Sequence, residues 1–323
     1  MSSGQASTIM KNGQSLKGTS SNPNSLANIG YTQNFLRDTK LVETLINKSN
    51  ITSGITVLEI GPGKGIITEA LARRVGPTGR VVAVEFDPHL AMQLRARFTD
   101  LSQVNIIQQD ILSFSLDSLP HNYRVFANVP FNITAKIFHY IFQPLSGPQD
   151  AYLIVQKESI QEVGQKKEPR ATLKSLFLEP IYQIRLIHTF SPHDFSPPPG
   201  VKTALFHFQK KTPPALTAQQ YTQFCDFLAF ISRDRIGEGS WLRLFSKKDL
   251  RSMVEKNRLL WGRGLKSQAG HSLMTAFLNT VAQDEMLQKK VVGALKVLQK
   301  EQEKRELINF FGGHHRSKME KKR

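Results

Sequence analysis

The chain has 323 residues, room for one large domain and a small one, and 40% of them are apolar, enough for a sizeable core. Its formal net charge is +17 and its pI about 10.0, which favours a polyanionic partner, nucleic acid ahead of membrane. A single cysteine, Cys225, excludes an internal disulfide and a cysteine-built zinc site; no apolar run is long enough to span a bilayer, and no secretory leader is evident, so a cytoplasmic location is expected.

In chain order, residues 1–30 are rich in Ser, Asn and Gly, carry Lys11 and Lys17 and no acid, and read as a disordered basic arm. Asp38 can cap a helix bearing Leu41, Val42, Leu45 and Ile46 at helical spacing. Short apolar runs then alternate with helical patterns. Strands are predicted at Ile55–Ile60, Arg80–Phe86, Val104–Gln108, Arg124–Ala127 and Ala151–Val155, and helices at Ile66–Val75, Pro88–Phe98 and Ile133–Phe142. This alternation predicts an α/β fold, a parallel sheet covered by helices on both faces. Ile181–Thr189 and Val201–Phe208 can close it as a β-hairpin around a Pro-rich loop at Ser191–Gly200. After Pro213–Pro214 the strand signals stop. Residues 211–283 read as a small all-helical domain, and 284–323 as a basic extension in which Leu287, Val291, Leu295 and Leu298 mark one amphipathic helix. The catalytic domain is thus expected at 31–210.

The first strand runs into Glu59-Ile60-Gly61-Pro62-Gly63-Lys64-Gly65. A phosphate-binding loop needs Ser or Thr after the Lys, and Gly65 stands there instead. The dinucleotide fingerprint fits poorly, because the third glycine comes too early. The remaining functional reading is an E-x-G-x-G turn, which resembles S-adenosylmethionine-dependent methyltransferases; a plain structural turn competes with it. Glu85 ends the second strand, where an acid can accept both ribose hydroxyls of a nucleoside cofactor, and Asp110 follows the third, where it can accept from the adenine amine. Gly61, Gly63, Glu85 and Asp110 are the expected cofactor contacts.

The fourth strand ends in Asn128-Val129-Pro130-Phe131. An adenine N6 amine is a poor nucleophile because its lone pair is delocalised into the ring. Two acceptors aimed at its hydrogens can hold the lone pair out of conjugation: the Asn128 side-chain oxygen and the Val129 carbonyl. Pro130 stiffens the turn, and Phe131 offers a face for an extruded base. Positioning and stabilisation of charge developing on nitrogen suffice, without a base of high pKa.

Together these residues resemble the ribosomal RNA adenine dimethyltransferase superfamily. The likeness starts at Tyr31-Thr32-Gln33-Asn34-Phe35-Leu36 and extends to Asp194-Phe195-Ser196-Pro197-Pro198-Pro199-Gly200-Val201-Lys202, similar to the family's F-x-P-x-P-x-V segment. It implies a Rossmann-like sheet with a C-terminal helical domain, S-adenosylmethionine as cofactor, Asn34, Leu36 and Asn128 lining its pocket, and Phe195 stacking on the far face of the target base, against the plainer reading of Phe195 as a core residue beside a Pro-rich turn. Phe131, Phe224–Leu228 and Leu244–Leu250 resemble the erythromycin-resistance (Erm) branch, which methylates 23S RNA; Gln156-Lys157-Glu158 is more typical of the small-subunit assembly branch. A binding factor without catalysis and a DNA adenine methyltransferase are further alternatives.

Residues 243–266 hold eight basic residues, among them Lys247, Lys248, Arg251, Arg258 and Arg263, against two acids, with Trp241 and Trp261 flanking. Basic residues interleaved with aromatics suit phosphate contact and stacking; a solvated helix face over core tryptophans is the plainer reading. Lys166, Lys167 and Arg170 form a second candidate RNA patch. The partner expected is ribosomal RNA, 23S favoured, for a monomeric protein that needs no membrane and no metal.

Overall fold

The computed structural model of the chain describes residues 34–142, 147–163, 169–232, 241–257 and 270–301. The predicted arm at 1–30, Tyr31 to Gln33, Lys166, Lys167, Arg258, Trp261, Arg263 and the tail from 302 lie outside the described residues, as does the side chain of Arg170.

The sequence's alternation of apolar runs produces five parallel strands: β2 (Thr56–Ile60), β3 (Arg80–Glu85), β4 (Val104–Gln108), β5 (Arg124–Asn128) and β6 (Asp150–Gln156). Two antiparallel strands, β9 (Tyr182–Thr189) and β11 (Thr203–Lys210), complete a seven-stranded sheet in the order β4-β3-β2-β5-β6-β11-β9. Successive side chains point to opposite faces. Leu58, Val82, Val125 and Ala127 meet Ile137, Phe138 and Ile141 of α4 (Thr134–Ile141) on one face. Val57, Val81, Ala83 and Phe126 meet Leu45 of α1 (Thr39–Asn47), Leu71 of α2 (Ile66–Val75) and Leu94 of α3 (Pro88–Arg97) on the other. A sheet buried on both faces explains why its strands read as continuous apolar runs. Asp38 caps α1 through the amides of Lys40 and Leu41, as its position suggested. Asp87 caps α3 in the same way, with Pro88 in the first turn.

Three features depart from the sequence reading. The Pro-rich stretch is more than a loop: β10 (Phe195–Ser196) pairs antiparallel with β1 (Phe35–Leu36), Phe35 opposite Ser196 and Leu36 opposite Phe195. A short ribbon, β7 (Gln161–Val163) with β8 (Pro169–Ala171), follows β6. The single helix expected at Leu287–Leu298 is broken: α9 (Glu285–Val291) ends, Gly293 turns at φ +79°, and a second helical stretch runs from Ala294 to Glu301.

Beyond β11, α6 (Ala218–Ser232), α7 (Lys247–Asn257), α8 (Gly270–Leu278) and α9 enclose a separate core of Phe224, Phe227, Leu228, Ile231, Leu273 and Phe277. Leu176 of α5 (Leu173–Leu178) reaches into it from the sheet. No helix among the described residues is long and apolar enough to cross a membrane.

Candidate active site

Strand order reverses between β2 and β5, with β3 and β4 to one side and β6 to the other. In open α/β sheets the crevice at such a point, off the carboxyl ends of the strands, receives ligands. Gly61, Glu85, Asp110 and Asn128 all stand at or just past those ends.

The glycine turn is shaped from three directions. Gly61, Gly63 and Gly65 have φ of +63°, +58° and +80°, a left-handed conformation that glycine takes without strain. The Gly63 amide donates to Glu85 Oε2 (3.0 Å), and the Asp87 amide donates to Oε1 (3.0 Å). The Phe35 ring lies against Gly63, so close that a Cβ there would sit 2.5 Å from Cε1. Arg97 donates to the Lys64 carbonyl (2.6 Å) from outside and pairs with Glu69. A Cβ on Gly61, by contrast, would meet nothing within 4 Å. The turn therefore presents open backbone on one side and packed backbone on the other.

A Gly63→Ala substitution tests this shape. It forces φ +58° on a residue with a side chain, at a cost of roughly 1–2 kcal/mol, and drives its methyl into Phe35. Affinity for S-adenosylmethionine, read by calorimetry, is expected to fall at least tenfold; unchanged affinity would mean that Phe35 does not set the turn.

The residues at the crevice fit a nucleoside cofactor. Each Glu85 oxygen accepts one amide and retains a second lone pair for a hydroxyl. Asp110 caps the 3-10 turn Ile111–Ser113, taking the Leu112 amide on Oδ1 (3.0 Å), which leaves Oδ2 for an amine. Leu36 is buried where β1 meets β10.

Asn128 is oriented by a single bond. Its Nδ2 donates to the Asn34 carbonyl at 2.7 Å, so the donor end of the amide is committed and Oδ1 is left as an acceptor. Val129 donates its amide to Ile154 O (3.0 Å) and buries its side chain, and among the described residues its carbonyl accepts no bond. The next two carbonyls are used: Pro130 O by Ile133 N and Thr134 Oγ1, and Phe131 O by Thr134 Oγ1. Two acceptors on consecutive residues are thus unclaimed among the described residues. Phe131 opens the 3-10 turn Phe131–Ile133 and is partly exposed.

Of the two readings of Phe195, the structure favours the core one. Phe195 is 0% exposed, packed edge-on to Phe190 (5.2 Å between centroids) within the core beneath β1. Its ring offers no face to a base; what the segment supplies to the site is the backbone ladder that seats Asn34 to Leu36. Sequence reasoning missed Phe35, whose only signal was its place next to Asn34 in the N-terminal motif.

Beneath the turn lies Glu59, 1% exposed. Burial pushes its carboxyl up to about 8, against a smaller opposing pull from Thr68 and with a further push from Glu85. Neither carboxyl oxygen, nor the Thr68 hydroxyl, closes a hydrogen bond of normal geometry.

The sequence profile of the family described as ribosomal RNA adenine dimethylase matches residues 24–282. The chain belongs to that family. An rRNA adenine N-6-methyltransferase of Bacteroides fragilis is 30% identical over 233 residues, 69% of this chain and 82% of the relative. A ribosomal RNA small subunit methyltransferase A of Koribacter versatilis is 32% identical over 205 residues, 58% of this chain and 70% of the relative. In fold, the chain is similar to the crystal structure of the 23S rRNA methyltransferase ErmE, with TM-score 0.65 and 20% identity over 76% of this chain and 98% of that one. A dimethyladenosine transferase from Plasmodium falciparum follows at TM-score 0.54 and 17% identity, over 79% and 90%. As a ribosomal RNA adenine dimethylase the protein is an S-adenosylmethionine-dependent enzyme that methylates the N6 amine of an rRNA adenine. Its sheet is the Rossmann-like methyltransferase sheet expected from the sequence.

Proposed function

We propose that the substrate is an unpaired adenine of 23S ribosomal RNA, and that its methylation confers resistance to macrolides, lincosamides and streptogramin B. The observation that carries the chemistry is the tethered Asn128 amide and the unclaimed Val129 carbonyl. When bound, S-adenosylmethionine supplies an electrophilic methyl on sulfur. Glu85 accepts its ribose hydroxyls and Asp110 its adenine amine, with Gly61, Gly63, Asn34 and Leu36 forming the pocket wall. Asn128 Oδ1 and Val129 O each accept one N6 hydrogen of the target base, which keeps the nitrogen lone pair out of the ring and aims it at the crevice. The same two dipoles stabilise positive charge as it develops on nitrogen. Pro130 holds the turn, and Phe131 stacks on the base.

The 23S reading rests on Phe131 and on the helical segments Phe224–Leu228 and Leu244–Leu250, which resemble the Erm branch. A second reading, methylation of small-subunit RNA during ribosome assembly, is favoured by Gln156-Lys157-Glu158 and by the Koribacter relative. Methyl transfer from labelled cofactor to protein-free 23S RNA and to small-subunit particles separates the two. Label on 23S RNA at one unpaired adenine, mapped by reverse transcription, supports the first; label on small-subunit particles alone replaces it with the second.

In this reading, residues 31–210 are the catalytic domain, 211–283 a helical RNA-binding domain, and 284–323 an extension, in a monomeric cytoplasmic protein. Lys247, Lys248 and Arg251 stand exposed on α7, while Leu250 and Met253 turn inward to the helical core. Trp241 stacks edge-on with Phe227 (5.7 Å) and serves that core as well as the patch's border. Reversing the three charges to Glu is expected to weaken RNA binding and flatten its dependence on salt, by about 0.7 in log–log slope for each single-strand phosphate no longer neutralised. Binding unchanged at every salt concentration would remove α7 from the interface.

A further inference from the structure

The extension lies beyond the residues that match the family, which end at 282. Residues 284–301 hold four lysines, Lys289, Lys290, Lys296 and Lys300, and three acids, Asp284, Glu285 and Glu301, which stand at the two ends and leave the stretch 286–300 without one. All four lysines are exposed or partly so, and among the described residues none pairs with a carboxylate. Three apolar side chains stand out beside them: Met286 and Val292, each 72% exposed, and Val297.

A short lysine-rich helix has little intrinsic stability by itself. This one is fastened. Asp226, nearly buried on α6, accepts the Gly293 amide on Oδ2 and the Leu295 amide on Oδ1, both at 3.0 Å. One carboxylate thereby fixes the glycine turn and caps the helical stretch that begins at Ala294. Gln223 donates to Gln288 (3.0 Å), and Val291 and Ala294 are buried. Asp226 thus holds the turn and the second half of the extension, and Gln223 holds the first.

We propose that residues 286–300 form a second RNA-contact platform, lysine-rich and studded with exposed apolar side chains, that Asp226 holds against α6. The partner follows from charge complementarity: the substrate is a polyanion, and this basic surface is presented on fixed backbone rather than on a loose tail. The lysines meet phosphates; Met286, Val292 and Val297 meet sugars and unstacked bases. The proposal rests on the rRNA substrate.

Two variants of the full chain separate charge from presentation. Lys289, Lys290, Lys296 and Lys300, all changed to Glu, should raise the Kd for the methylated rRNA at least tenfold at low salt and make the salt slope shallower by about 2 or more, as expected when several phosphates go unneutralised. Asp226→Asn removes a negative charge, so simple electrostatics predicts tighter RNA binding. The platform predicts weaker binding, because one of the two amide acceptors becomes a donor and the extension comes loose. Cofactor affinity and the melting temperature report on the rest of the fold in both variants. Weaker binding in both establishes the platform. Unaltered binding in the lysine variant, tighter binding in Asp226→Asn, or a loss confined to ribosomal particles and absent on protein-free RNA overturns it, the last pointing to a ribosomal protein instead. If the unaltered chain methylates neither large- nor small-subunit RNA, the substrate reading fails and the platform with it.

Discussion

Replacing Asn128 with Ala is expected to lower the rate of methyl transfer at saturating RNA by about 10²–10³-fold, the usual cost of deleting a preorganised hydrogen-bonding dipole at a reacting centre. The acceptor at Oδ1 vanishes, and only the Val129 carbonyl is left to engage the amine. Asn128→Asp is the sharper control. It keeps an oxygen near the amine but sets a second carboxylate oxygen against the Asn34 carbonyl, 2.7 Å from the atom that now donates to it. Two acceptors repel there, so the side chain must turn away or take up a proton. Asn128→Asp should therefore be nearly as slow as Asn128→Ala at neutral pH and recover in part as pH falls. Single-turnover rates over a pH series decide the matter. Equal, pH-independent rates in the two variants would show that the tether to Asn34 contributes nothing.

The second large effect concerns stability. Glu59 is buried with both oxygens unsatisfied, and its carboxyl titrates near 8 in the folded chain against 4.5 in the reference state. Below about 4.5 both folded and unfolded chains hold the proton. Between 4.5 and 8 only the folded chain does, so the unfolded state binds fewer protons and stability must fall as pH rises. The loss is complete above 8 and is on the order of 5 kcal/mol, at about 1.4 kcal/mol per tenfold change in proton affinity. Glu59→Gln has no proton to lose. Its unfolding free energy should lie near the parent's at pH 5 and exceed it at pH 8.5, as measured by urea titration without cofactor. Parallel pH profiles for the two proteins would place the charge of Glu59 in contact with solvent or a counterion and refute the burial argument.

The sheet was legible because a strand buried on both faces has to be an unbroken apolar run, and because glycine and acid at successive strand ends mark a crevice. Predicted and observed limits of β2, β3, β4 and β5 agree to within a residue. The pairing of β1 with β10 was not legible. Two-residue strands have no periodicity, and nothing local announces that Leu36 will lie opposite Phe195. Phe195 was open for the same reason: the family resemblance offered it as a stacking ring, a core position beside the Pro-rich turn was the other reading, and the ladder to β1 goes with the second. The break at Gly293 was hidden by a clean i, i+4 pattern in Leu287, Val291 and Leu295. The decisive partner, Asp226, comes from α6, far back in the sequence. The candidate cofactor residues were found because each ends a strand, whereas Phe35 and Glu59 act through packing and burial, which composition does not reveal.

The bond from Asn128 to Asn34 joins residues 94 apart, and the strand that carries Asn34 is itself pinned by residues 195 and 196. Contacts of such long sequence separation close late in folding, because loop entropy must be lost before they form. During synthesis the glycine turn and its acids can assemble as soon as β2 to β4 are out of the ribosome. The strand that seats Asn34, the partner of Asn128, is paired only once the chain reaches Ser196. A chain cut short before Ser196 would thus keep the glycine turn and its acids but lack the strand pairing that seats the partner of Asn128.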